Sequence, residues 1–217
     1  MTVPVLEQSD NHAVYAQSIR IDVLPLFDRS YSHVLDIGCA NGATGALLKQ
    51  QGLCSHVTGI EPFAAHIPFA KTQLDQVYHA SVEEALPNLP IQSFDCILCL
   101  DVLEHLVDPW TVWQRLPALL KPGGIVICSI PNVQHYSVSL PLVFFGHWRY
   151  TTAGLLDATH LRFFTKEGVR ALVSSNQLQV EVLEAKMGPA ARVLNRLSLG
   201  LCSGLLSYQY LTRSRKS

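Results

Sequence analysis

The chain has 217 residues, 48% of them hydrophobic, enough to bury the core of one α/β domain with little room for a second. A formal net charge of −1 excludes a global attraction to nucleic acid or to anionic lipid. Glu7 and Asp10 interrupt the N-terminal stretch, and no apolar run reaches the roughly 18 residues of a spanning helix, so neither a signal peptide nor a transmembrane segment is expected. Six cysteines without regular spacing read as reduced thiols, and the expected location is cytoplasmic.

In chain order, Asn11–Phe27 predicts a helix, with Val14, Ile19, Val23 and Leu24 near helical spacing and Pro25 close to its end. It is expected to lie across the mouth of a ligand pocket, as a helical cap within residues 1–30. Val34–Ile37 reads as a buried strand that breaks into a glycine-bearing turn and opens a helix, Ala43–Gln51. The alternation continues with strand Val57–Ile60, helix Ala64–Thr72, strand Gln76–His79, helix Val82–Leu86, strand Phe94–Leu100, helix Trp110–Leu119 and strand Gly124–Ile130. Such alternation implies a parallel sheet with right-handed crossovers. Cys96 and Cys99 form a C-x-x-C, but three residues apart on a strand they face opposite sides of the sheet, which speaks against a metal or redox pair.

Beyond Ile130 the pattern breaks. Residues 131–164 form a long, proline-punctuated connection rich in aromatics (Phe144, Phe145, Trp148 and Tyr150, with His147), read as a substrate-facing cap. Thr165 then N-caps a helix to about Ser174, and strand Leu178–Glu184 follows. Ala191–Leu201 reads as a short apolar helix and Leu206–Thr212 as a final strand antiparallel to its neighbours, with Arg213, Arg215 and Lys216 a solvated tail. The alternative for 191–211, a peripheral membrane-surface anchor, is weakened by glycines at 200 and 204. The whole of 1–217 is read as one domain.

Gly38 and Gly42 sit where a backbone must turn sharply and let a ligand approach. A G-x-G-x-x-G fingerprint fails, because the third and sixth positions from Gly38 are Ala40 and Ala43, and no P-loop run exists. Asp36 precedes the turn by two residues, and Glu61 ends the next apolar run. An acid at that strand tip can accept both hydroxyls of a ribose. Without a pyrophosphate loop, the expected ligand is a nucleoside whose other half is small and zwitterionic.

Here the chain resembles the class I S-adenosylmethionine-dependent methyltransferases. Asp36-Ile37-Gly38-Cys39-Ala40-Asn41-Gly42 is similar to that family's D-x-G-C-G-x-G, with Ala40 in place of the middle glycine, a change expected to need only ordinary φ. Lys121-Pro122-Gly123-Gly124 resembles its L-K-P-G-G turn, and Phe94-Asp95-Cys96-Ile97 the start of its fourth strand. Asp101-Val102-Leu103-Glu104-His105 resembles the post-strand motif of the subgroup that includes ubiquinone-biosynthesis O-methyltransferases. The likeness runs from about Ser32 to Val173.

The resemblance implies a Rossmann-like seven-stranded sheet, mostly parallel with an antiparallel C-terminal strand, helices on both faces, and S-adenosyl-L-methionine as cofactor. Gly38, Cys39 and Ala40 would approach the methionine part, Glu61 would hold the ribose, and Asp36 would orient the turn, with Gly42, Pro62 and Asp101 completing the cofactor set. Ser81 falls where the family often has an acid for the adenine amine, and Val82 would pack on the ring. His105 is the favoured proton acceptor and His160 the second candidate, since an imidazole titrates in the range that hydroxyl deprotonation needs.

Asn132, His135, Trp148, Tyr150 and Arg162 are the expected substrate contacts. The leading reading assigns no metal. The alternative is a divalent cation on Glu104, His105 and His160, a set whose spacing resembles plant small-RNA 3′-end methyltransferases, with Asp101 in place of their first Glu. RNA as substrate is disfavoured, because no basic, aromatic-interleaved patch is visible. Pro131-Asn132 and the aromatic stretch resemble methyltransferases of small metabolites and bacterial cell-surface glycans. The expected reaction is methylation of a small molecule or glycan, at oxygen. A non-catalytic S-adenosylmethionine-binding partner subunit and a metal-dependent RNA 3′-end methyltransferase are the alternatives. Oligomeric state is left open.

Overall fold

The computed structural model describes residues 19–174 and 177–217. Most of the helix expected over Asn11–Phe27 lies outside the described residues. Its described end is a 3-10 helix, Ile21–Leu26, which buries Val23 and Leu26.

Seven strands form one sheet: β1 (Tyr31–Ile37), β2 (Cys54–Glu61), β3 (Gln76–His79), β4 (Phe94–Leu100), β5 (Leu120–Pro131), β6 (Leu178–Lys186) and β7 (Gln209–Lys216). Their order is β3-β2-β1-β4-β5-β7-β6. The first five pair in parallel, and β7 runs antiparallel between β5 and β6. The chain leaves β1 toward β2 on one side and returns to β4 on the other. A crevice therefore opens at the carboxyl ends of β1 and β4, where open α/β sheets bind ligands.

Helices cover both faces: α1 (Ala43–Gln50), α2 (Ile67–Gln73), α3 (Val82–Ala85), α4 (Pro109–Leu119), α5 (Tyr136–Phe145), α6 (Lys166–Val173), α7 (Pro189–Leu197) and α8 (Ser203–Leu206). The central strands are buried on both sides and read as unbroken apolar runs, as in sheets covered by crossover helices. Leu35, Ile37, Ile97, Cys99 and Cys128 meet Trp113, Leu116 and Val169 on one face. Val34, Cys96, Leu98 and Ile127 meet Leu48, Ala70, Leu74 and Val23 on the other. Cys96 and Cys99 thus lie in separate cores, and both thiols are free and buried.

Two expectations are corrected. The connection after β5 contains a helix, α5, which the prolines had masked. Pro141 lies inside it, His135 caps its start, and Gly146 closes it in a left-handed conformation with its amide on the Leu142 carbonyl at 3.0 Å. Arg213, Arg215 and Lys216 are no solvated tail. β7 continues through them, with Thr212 and Ser214 fully buried between. Arg215 Nε pairs with Glu181 Oε1 at 2.6 Å, and Lys216 Nζ donates to the Leu120 carbonyl at 2.7 Å. Their long side chains reach acceptors on neighbouring elements, which a central strand makes available and a tail would not.

Candidate active site

The turn after β1 is built around its amides. Gly38 and Cys39 donate to the Ile60 carbonyl at 2.9 and 3.1 Å, and Ala40 donates to Glu61 Oε2 at 2.8 Å. Gly38 has φ +71°, and a Cβ there would lie 2.6 Å from Cγ2 of Val102, two residues past β4, so both the backbone and the close approach favour glycine. Ala40 has φ +47°, not the ordinary φ expected of it. A non-glycine residue in this region is strained by about 1 kcal/mol, and here the conformation is what aims the Ala40 amide at Glu61.

Glu61, 3% exposed, also accepts the Phe63 amide through Oε1 at 2.9 Å, with His66 Nδ1 3.3 Å away. Asp36 lies beside it at the end of β1. The amides of Gly38, Cys39 and Ala40 go to Ile60 and Glu61 and not to Asp36. Burial, reinforced by the Glu61 carboxylate, pushes the Asp36 carboxyl up to about 7. Ser81 caps α3 in a reciprocal pair with Glu84: its hydroxyl donates to Glu84 Oε2 at 2.9 Å and accepts the Glu84 amide at 3.3 Å. The hydroxyl expected at adenine is thereby committed in part to its own helix.

Across the crevice, Asp101 follows β4 with φ +56°. Its amide donates to Ser129 Oγ at 3.0 Å, and Gln209 Nε2 on β7 donates to its carboxylate at 2.6 Å. The Arg20 guanidinium completes this group, pairing with Asp101 and donating to Ser129 Oγ at 3.0 Å. Burial pushes the Asp101 carboxyl up, opposed by Arg20. Arg20 was not anticipated from the sequence. It is the one lysine or arginine, among the described residues, that lines the cavity.

One 3-10 turn on, Leu103–His105, comes a second cluster. Glu104 is 1% exposed, and neither of its carboxylate oxygens has a hydrogen-bond partner among the described residues. Burial and then the Asp101 charge push its carboxyl well above the usual range. His105 Nδ1 lies 3.2 Å from the Thr159 carbonyl and His160 Nδ1 3.4 Å from that of Leu155. Assigned from these contacts, both Nδ1 atoms carry hydrogen, which leaves each Nε2 with its lone pair. The two rings stand 4.7 Å apart, edge to face. One ligand atom each of Glu104, His105 and His160 lies within 4.8 Å of the others. Burial, with His105 beside it, lowers the His160 pKa. The Leu161 and Arg162 amides both donate to the Glu104 carbonyl at 2.9 Å, fastening the second histidine's loop to the first cluster.

All of these groups face one cavity of about 680 Å³. Asp36, Gly38, Cys39, Ala40, Glu61, Pro62, Ser81 and Val82 line one end, and Asp101, Glu104, His105 and His160 the other. Gly42 is not among the lining residues. Its φ of +84° starts α1, and a Cβ would press on Leu74. The five residues expected to touch substrate do not line the cavity either. Asn132 is buried, its amide donating to the Gly204 and Ser207 carbonyls at 2.7 Å. His135 caps α5, Trp148 and Tyr150 pack around Phe163, and Arg162 donates to the Val107 carbonyl. From that connection Gly154, Leu155, Asp157, Thr159 and His160 reach the cavity instead.

Residues 11–183 match the family model described as a methyltransferase domain. The chain is 34% identical over 155 residues to the ubiquinone biosynthesis O-methyltransferase of Bradyrhizobium diazoefficiens, covering 68% of this chain and 58% of that protein. It is 33% identical over 115 residues to the namesake of Maricaulis maris, covering 51% of this chain and 44% of that protein. The chain thus spans about half the length of the curated relatives it matches. Among solved structures it is similar to an S-adenosylmethionine-dependent methyltransferase of Archaeoglobus fulgidus, with a TM-score of 0.67, 17% identity and 94% of each chain covered. It is also similar to the N-methyltransferase NodS of Bradyrhizobium japonicum in complex with S-adenosyl-L-homocysteine, with a TM-score of 0.56, 16% identity, and 96% of this chain and 98% of that one covered. At such identities the solved structures speak for the fold, while the family match and the turn after β1 carry the assignment: the chain belongs to the methyltransferase domain family, of the class I S-adenosylmethionine-dependent type.

Proposed function

We propose that the protein transfers a methyl group from S-adenosyl-L-methionine to a hydroxyl of a small-molecule or glycan acceptor. The observation that carries this reading is the shared cavity, with a nucleoside-type cradle at one end and two neutral-tautomer histidines at the other. The oxygen acceptor is supported by relatives named O-methyltransferases. Bound S-adenosyl-L-methionine supplies an electrophilic methyl carbon. Glu61 would take the ribose hydroxyls, Val82 would pack on the adenine, and the Arg20–Asp101 pair would meet the carboxylate and ammonium of the amino-acid end. His105 Nε2 would take the acceptor's proton as the methyl group passes to the acceptor oxygen and S-adenosyl-L-homocysteine leaves. Enclosure in the cavity excludes water and holds the reactants in line.

A competing reading of the same cluster is a divalent cation held by Glu104, His105 and His160. With hydrogen on Nδ1 the ion would take the His105 Nε2 lone pair, and His105 would then be a ligand and not the proton acceptor. The partnerless carboxylate of Glu104 supports it, because a buried acid without donors is costly unless it is protonated or bound to a cation. Carbonyls on both Nδ1 atoms orient the rings as metal-ligating histidines are oriented. Such an ion would lower the pKa of an acceptor hydroxyl.

The test is calorimetry with S-adenosyl-L-homocysteine, followed by methyl-transfer assays on hydroxyl acceptors with and without chelator. Absence of homocysteine-adduct binding would overturn the reading. Binding without turnover on any acceptor would favour a non-catalytic partner subunit. Activity indifferent to chelator would remove the cation.

A further inference from the structure

The net charge of −1 conceals an uneven distribution. Residues 132–156 and 185–217 contain no aspartate or glutamate, although the chain has 17 acids. These two stretches carry α5, α7 and α8, which the fold brings together: α8 packs against α5 on one side and α7 on the other. The result is an apolar surface out of proportion to a soluble domain. On α5, Phe144 and Phe145 are 70% and 72% exposed. α7 buries none of its residues, and Leu199 and Leu201 just after it are 90% and 88% exposed. α7 touches the rest of the fold through α8 but leaves its leucines in solvent, and patches of this kind mark surfaces that meet another apolar phase.

Charge decides what that phase is. The exposed leucines are interleaved with Arg192 and Arg196 on α7, and no acid lies in either stretch. A second copy of this chain meeting it on the same face would set arginines against arginines, with no carboxylate to answer them. An apolar face whose own charged side chains are all cations suits the headgroup boundary of an anionic leaflet. The two stretches also run directly into the cavity, which Leu155 and Tyr208 help to line.

We propose that α5, α7 and the turn at 198–201 form a docking face for an anionic lipid bilayer. Phe144, Phe145, Leu197, Leu199 and Leu201 enter the interface, and Arg192 and Arg196 meet the phosphates. Docking lays the cavity mouth beside the headgroups. Delivery of acceptor from that side rests on the methyltransferase reading, whereas docking itself does not.

The experiment is co-sedimentation of the full chain with vesicles of phosphatidylcholine alone or mixed with phosphatidylglycerol, at low and high salt. The protein is expected to pellet with the anionic vesicles and to be released in part by salt. The Phe144→Ser/Phe145→Ser double variant should lower partitioning on the order of tenfold or more. Arg192→Glu/Arg196→Glu should abolish the preference for anionic lipid. Melting temperatures like the parent's establish that the variants are folded. No pelleting of the parent, or variants that partition like it, would overturn the proposal. So would a dimer by light scattering that the phenylalanine variant dissolves, since the face would then be covered by a second copy. Vesicle binding without S-adenosyl-L-homocysteine binding would leave docking standing and remove the enzymatic reading. The reverse result would remove docking alone.

Discussion

Glu61 Oε2 accepts the Ala40 amide at 2.8 Å, so the end of β2 holds the turn after β1 in its left-handed conformation. A hydrogen bond to a charged group is worth about 1.5–3 kcal/mol. Glu61→Ala is therefore expected both to lower the melting temperature and to weaken S-adenosyl-L-homocysteine binding on the order of tenfold or more. Ala40→Gly should stabilise the turn by relieving the positive φ. Calorimetry and thermal melts check the two, and a Glu61→Ala protein that binds as tightly as its parent would remove Glu61 from the ribose site.

Asp36 makes stability depend on pH. Burial and Glu61 raise its carboxyl from 3.8 to about 7. Below about 3.8 both folded and unfolded chains hold the proton, and the contribution is full. As pH rises toward 7 the unfolded chain gives the proton up while the folded one keeps it, so stability falls, levelling off above about 7. Asp36→Asn should flatten that slope. Denaturant titrations between pH 4 and 8 on the order of unit steps measure it.

Arg20 bridges Asp101 and Asp22, so removing it leaves the Asp101 carboxylate with only its neutral donors, Ser129 and Gln209. Loss of one partner of an enclosed pair costs about 3–5 kcal/mol where burial is complete. A third of the Asp101 side chain opens to the cavity (34%), so the loss should fall below that range. Arg20→Ala is expected to raise the S-adenosyl-L-homocysteine Kd at least tenfold, with Arg20→Lys recovering part of it. Equal affinity in all three proteins would show that the amino-acid end binds elsewhere.

His105→Ala should lower kcat by about 10²–10⁴ as loss of a general base. Its S-adenosyl-L-homocysteine affinity should change little. His160→Ala should weaken zinc or magnesium binding by calorimetry if the cation reading holds. A His105→Ala enzyme at full rate would leave the proton acceptor unassigned.

The thiols give a simpler check. Cys39, Cys54, Cys96, Cys99 and Cys128 are buried, and burial raises each of those thiols. A thiol reagent at neutral pH should label Cys202 in the native protein and all six cysteines only after denaturation. Rapid native labelling of a second cysteine would contradict the packing of the sheet.

β1 to β5 were legible because each central strand is a short apolar run with a turn at its end, a pattern that burial on both faces imposes. The pairing of His105 with His160 was legible from their residue types together with the resemblance of their spacing to plant small-RNA 3′-end methyltransferases. Arg20 was not, because apart from the neighbouring Asp22 its partners, Asp101, Ser129 and Gln209, stand about eighty to two hundred residues away and only the sheet order unites them. α5 was hidden by Pro141, which a helix tolerates when little else constrains it. β7 was cut short because arginines and a lysine at a C-terminus look solvated until a neighbouring strand supplies Glu181. The strain at Ala40 had no signal in composition, since the requirement comes from a carboxylate on another strand.

The double hold of Leu161 and Arg162 on the Glu104 carbonyl divides the long connection into two parts that are held differently. Everything from Thr159 onward is fixed to the reacting end of the cavity. The stretch from Gly146 to Ala153 contributes nothing to the cavity lining and is held by Trp148 and Tyr150 against Phe163 and by the Thr151 amide on the Leu156 carbonyl at 2.8 Å. Substitutions between Gly146 and Ala153 should therefore reach the imidazoles through Phe163, whose ring stands 6.2 Å from that of His160.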